Sequence, residues 1–174
     1  MKLKYQWPFV WLLVLLLPFR DSFALTVNDG TLMRHMLWPL VHANALHWLI
    51  NTICFMALWR TVTPFRLVTG YAVSVAIGYI WPWCVSAAIL YGLPGNEDIR
   101  LCGFSGVCFY LLGTVFMRMP RPYRVRLSVL IVISCFIPGI AASVHILTLS
   151  CGILYSYLKR FIRPSGHTSH FVYD

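Results

Sequence analysis

The sequence predicts an all-α polytopic membrane protein with six transmembrane helices, on the strength of its composition, the lengths of its apolar runs and the distribution of its charges. Of 174 residues, 59% are hydrophobic and 11% charged, at a mean hydropathy of +0.73. An ordinary soluble domain carries roughly 25% charged and about 45–50% apolar residues. Six apolar runs approach the roughly 20 residues that cross a bilayer. With the N-terminus inside, eleven of the fourteen Lys and Arg fall in segments on the inner side, which is the positive-inside bias. That asymmetry, facing an anionic lipid bilayer, accounts for the net charge of +9 without a nucleic-acid partner.

The first run, Trp7 to Leu17 with its flanks, follows Lys2 and Lys4. Its basic start and the later Ser22-Phe23-Ala24 also fit a cleavable signal peptide. Phe19-Arg20-Asp21, however, puts charges where a cleavage region is small and neutral, so it reads as a span. The second run is Leu46 to Trp59, ended by Arg60, and the third is Leu67 to about Leu90. The fourth, Gly103 to Met117, has 15 residues, or about 22 Å of helix, too little for a core of about 30 Å. A half-height helix is therefore expected there, with the loop "YGLPGNEDIRLCG" dipping in to fill the remaining depth. The fifth and sixth runs, Leu127 to Ile137 and Ile140 to Leu158, complete one domain over 1–160, and 161–174 reads as a polar cytoplasmic tail. Six cysteines without CxxC spacing read as small buried hydrophobes, neither disulfides nor a metal site.

Polar groups inside such spans carry the functional information, because each is costly in hydrocarbon unless paired or hydrated. Ser105 lies 13 residues before Arg118, His145 lies 14 before Lys159, and His47 lies 13 before Arg60. At 1.5 Å per residue these counts put all three about 20 Å from the inner boundary, in one layer. Asn51, at i+4 from His47, shares its helix face. Gly106 and Gly113 on the fourth helix, and Ala141, His145, Thr148 and Gly152 on the sixth, form stripes of mostly small residues that allow close helix approach. The chemistry that fits is a Ser–His dyad, with His145 as general base to Ser105, and with His47, Asn51 and the Ser105 N–H as donors to an oxyanion. Tyr110 reads as core packing, and His35, His167 and His170 carry no role. His42 and His47 point apart at i,i+5, so no metal site is expected, and no cofactor either.

These residues resemble the rhomboid family of intramembrane serine proteases. Gly103-Phe104-Ser105-Gly106 is similar to the family's GxSG nucleophile motif, and "HANALHWLIN" to its second-helix pattern with His47 and Asn51. His145 stands where the family's sixth-helix base lies. Arg34 resembles the arginine of a first-loop Trp-Arg pair, here preceded by Met33, and His42 resembles a histidine that anchors the loop. Thr148 replaces a glycine usual in the sixth helix. The resemblance covers about residues 30 to 160 and implies a rhomboid-like bundle. It also implies cleavage of single-pass transmembrane proteins near their external ends, an integral multi-pass location in a bacterial inner membrane, and cytoplasmic N- and C-termini. Two rival readings are a non-catalytic rhomboid-like protein that binds transmembrane helices and a proton-relaying transporter; neither needs a nucleophile and base at matching depth.

Overall fold

The computed structural model describes residues 14, 16–26, 31–90, 100–134 and 142–162. A 3-10 turn at Leu17–Phe19 leads into α1 (Arg20–Phe23), followed by α2 (Leu32–Leu37), α3 (Ala45–Leu58), α4 (Pro64–Leu90), α5 (Ser105–Phe116), α6 (Arg121–Ser134) and α7 (Ala142–Ile162). The first predicted span and the polar tail fall almost wholly outside the described residues.

The expected transmembrane character is overturned. Among the described residues, no helix is both long enough and apolar enough to cross a membrane. This corrects the six transmembrane helices and, with them, the integral multi-pass placement in a bacterial inner membrane and the cytoplasmic assignment of the termini. The physical reason differs between helices. With 14 and 12 residues, α3 and α5 reach only about 18–21 Å, against a core of about 30 Å, and the described part of α6 carries Arg121, Arg124 and Arg126. The longer α4 opens on Pro64 and Arg66, and Thr69, Gly70, Ser74, Gly78 and Pro82 dilute its apolar content. In α7 the diluting residues are His145, Thr148, Ser150, Ser156 and Lys159. The high apolar fraction of the composition is spent partly on outward faces, such as Leu46, Leu49, Ile50 and Ile53 of α3 and Val125, Val129 and Leu130 of α6.

The centre of the fold is α5, which buries Gly106, Val107, Cys108, Tyr110, Leu111, Gly113 and Thr114. It lies between α4 and α7, with α3 against its start. Contacts between Gly70 and Tyr110 and between Ser74 and Gly106 make α4 and α5 antiparallel. Ser105 meets His145 while Gly113 meets Gly152, so α5 and α7 run parallel in register. Their closest approach is at Gly152, where a Cβ would lie 2.1 Å from Tyr110 O. No other residue type fits that crossing. Phe55, Phe104, Val107, Cys108, Tyr110 and Leu111 form one buried cluster, and Leu25, Trp38, Ile77, Trp81, Leu101 and Val144 form a second. An antiparallel bridge between Leu25 and Leu101, with N···O distances of 2.9 and 2.8 Å, ties the chain after α1 to the segment that leads into α5.

Candidate active site

The site is built around the start of α5. Gly103, at φ 115°, turns the chain into the helix through a backbone conformation that favours glycine. Its N–H donates to Trp38 O at 3.1 Å, and Phe104 N–H donates to His42 Nε2 at 3.4 Å. These two bonds fix the approach to Ser105, the first residue of α5. The first N–H groups of a helix lack intrahelical acceptors, so the Ser105 amide is available to an incoming oxygen.

Ser105 Oγ and His145 Nε2 stand 2.9 Å apart, joining α5 to α7. Phe109, one turn after Ser105, stacks on the same imidazole with centroids 4.3 Å apart and planes at 14°. The ring is thus held at its edge by the hydroxyl and on its face by an aromatic. His145 Nδ1 is buried and has no hydrogen-bond partner among the described residues, so the pair forms a dyad without a carboxylate behind it. Burial, reinforced by repulsion from His47, pushes His145 down to about 4, so at neutral pH the imidazole is uncharged and free to take a proton.

His47 and Asn51 of α3 converge on Gly103, two residues before Ser105. A Cβ on Gly103 would meet His47 Nε2 at 2.8 Å and Asn51 Nδ2 at 3.1 Å. Ala43 N–H donates to His47 Nδ1 at 3.4 Å, which leaves the proton of neutral imidazole on Nε2, the nitrogen facing the site. Burial lowers the His47 pKa and favours that neutral form. Asn51 is 4% exposed, and its Nδ2 has no acceptor among the described residues. A buried amide without an acceptor is costly unless a ligand or water oxygen satisfies it. Asn44 caps α3 by accepting from His47 N–H at 2.8 Å, which sets where the helix starts and therefore where both donors point.

No protein-family model matches the chain, and no curated protein does. The site therefore stands on its own geometry.

The other residues singled out in the sequence are distributed as follows. Gly106 faces Ser74 Oγ, 2.9 Å from the position of an added Cβ, so its smallness serves the α4 contact, whereas Gly113 and Gly152 serve the α7 contact. Thr148, three residues after His145, is fully buried and returns its hydroxyl to Val144 O at 2.8 Å, so it is accommodated by bonding its own helix. His42 is 1% exposed and sits edge-on to His47 at 5.4 Å, anchoring the loop before Ser105. Arg34 lies in α2, away from the dyad, with Nη2 3.5 Å from Asp21 O. Tyr110 is core, its hydroxyl 3.1 Å from Thr69 Oγ1. Among the described residues no group of three or more His, Cys, Asp or Glu is gathered for a metal ion. Sequence reasoning missed Phe109, although its i+4 spacing from Ser105 put it on the same helix face. It also missed Arg20 and Arg100, which no local pattern connects.

Proposed function

We propose that the chain is a serine endopeptidase of rhomboid type that hydrolyses a peptide bond through a Ser105–His145 dyad. The observation that carries this reading is the 2.9 Å contact between Ser105 Oγ and His145 Nε2, with two inward-facing donors, His47 Nε2 and Asn51 Nδ2, beside the same glycine turn. A hydroxyl bonded to a neutral, half-buried imidazole is an activated nucleophile. Ser105 Oγ attacks the carbonyl carbon while its proton passes to His145 Nε2. The carbonyl oxygen becomes an oxyanion facing the Ser105 amide, His47 and Asn51. Collapse breaks the C–N bond, with the Nε2 proton going to the leaving amine, and water attacking the ester by the same route regenerates Ser105. The substrate class that accompanies this reading is a protein bearing a transmembrane segment, cut near that segment's external end. A non-catalytic helix binder would have no use for the dyad contact or for unsatisfied donors beside it.

The test is labelling by a fluorophosphonate probe of the parent, Ser105→Ala and His145→Ala proteins. Labelling of the parent alone is the expected result. Labelling that persists in Ser105→Ala, or a folded parent that does not label, removes the hydrolase reading and favours helix binding.

A further inference from the structure

A concave site separate from the dyad is built by α1, α2 and the segment that leads into α5. A cavity of about 560 Å³ is lined by Arg20, Asp21, Ala24, Thr26, Arg34 and Arg100. Three guanidinium groups thus share it with one carboxylate. Asp21 Oδ1 accepts from Arg100 Nη1 at 2.6 Å and from Arg20 Nε at 3.2 Å, while the Asp21 side chain is 74% exposed. Ion pairs this exposed contribute little and exchange readily with a competing anion. The lining is polar, and its excess charge among described residues is positive, which suits a carboxylate held by forked guanidinium donors.

The cavity is coupled to the catalytic groups by short links. Arg20 Nη1 donates to Ala43 O at 2.9 Å, and Ala43 N–H donates to His47 Nδ1 at 3.4 Å. The bonds from a backbone N to its own O sum to about 4.2 Å, so Arg20 Nη1 is within about 10 Å of His47 Nδ1. Ala24 and Thr26 flank Leu25, which pairs with Leu101 just ahead of the glycine turn. The charges are felt there too: burial raises the Cys102 thiol to about 11, and Arg20 and Arg100 both oppose the rise. An extended peptide advances about 3.3 Å per residue, so 10 Å corresponds to about three residues of substrate.

We infer that the Arg20–Arg34–Arg100 cavity is a specificity subsite that binds an acidic side chain of the peptide substrate within about three residues of the bond to be cut. This rests on the endopeptidase reading for what the peptide is, and its test does not depend on turnover. Asp21 occupies the site in the free protein and is displaced by the substrate carboxylate. Arg20 is unsuitable for mutation because it also positions the His47 loop through Ala43 O.

The measurement is binding to the Ser105→Ala protein of fluorescein-labelled decapeptides with an Ala-Ala centre. One Asp is scanned through the three positions on each side, each compared with its Asn counterpart. At one or two positions the Asp peptide is expected to bind about tenfold tighter than the Asn peptide. Arg100→Gln and Arg34→Gln should each reduce that ratio towards one, and Asp21→Asn should raise it by freeing both guanidinium partners. Equal affinity of Asp and Asn peptides at every position, or a ratio unaffected by Asp21→Asn, overturns the subsite. Failure of probe labelling at Ser105 would instead remove the hydrolase reading and leave this binding result standing on its own.

Discussion

Gly152→Ala tests how tightly the chemistry depends on helix packing. The added methyl would lie 2.1 Å from Tyr110 O and 3.0 Å from Gly113 Cα, and real Cβ contacts essentially never fall below 3.0 Å. Tyr110 O is backbone and cannot rotate away, so α7 must retreat from α5 by about 1 Å to reach an ordinary contact. Carried along α7 to His145, that movement stretches the 2.9 Å bond to Ser105 Oγ to roughly 4 Å, outside hydrogen-bonding range. A displacement of this size costs about 10²-fold in rate when it separates reacting groups. Overpacking costs about 1–3 kcal/mol of stability, at about 2–4 °C of Tm per kcal/mol for a chain this long. The assay is the fluorophosphonate labelling rate alongside thermal unfolding. Gly106→Ala is the control, because its Cβ meets a side-chain hydroxyl, Ser74 Oγ at 2.9 Å, that Ser74→Ala removes. A Gly152→Ala protein that melts lower yet labels at the parental rate would refute the link between the glycine crossing and the dyad.

Asn51→Ala is expected to lower kcat by about 10²–10³-fold with little change in KM, the loss typical of one oxyanion donor, as read by peptide cleavage; a drop confined to KM would reassign Asn51 to substrate binding. Phe109→Ala should slow probe labelling more than Phe109→Tyr, because only the first removes the ring stacked 4.3 Å from His145. The pH–rate profile should keep its activity down to about pH 5 and lose it through about pH 4, since burial holds His145 at about 4; an acid limb centred near 6.5 would show an ordinary, hydrated imidazole. Stability should move the same way. His42 and His145 both sit at about 4 when folded, below the usual 6.5 of the unfolded chain. The unfolded chain therefore binds more protons between pH 6.5 and 4, and denaturant midpoints should fall as pH drops through that window.

The helical segments and the polar residues were legible in the sequence, whereas the setting inferred for them was not. Counting residues from Ser105, His145 and His47 to the next cation measures helix rise, and rise is the same in any parallel bundle. That is why Ser105 and His145 come out at one level of α5 and α7 although no described helix is long and apolar enough to cross a membrane. Apolar composition, in contrast, does not fix span length, because much of it lies on outward faces of helices as short as 12–14 residues. The glycine crossing was legible in part, as stripes of small residues; the division of labour between Gly106 and Gly113 depends on which helix each faces, and periodicity carries no such information. The arginine cavity was invisible because its members come from three separate segments and meet only through folded contacts such as Arg100 with Asp21.

The contacts that assemble the site span long stretches of chain: 79 residues from Arg100 to Asp21, 62 from Phe104 to His42 and 40 from Ser105 to His145. Each requires a loop closure whose entropic cost precedes the reward of contact. A growing polypeptide thus brings Ser105 and His145 together only after α7 has been synthesised and docked. With Ser105 and His145 acting as proposed, activity emerges together with the finished topology, so a stalled or truncated chain is inert towards its neighbours.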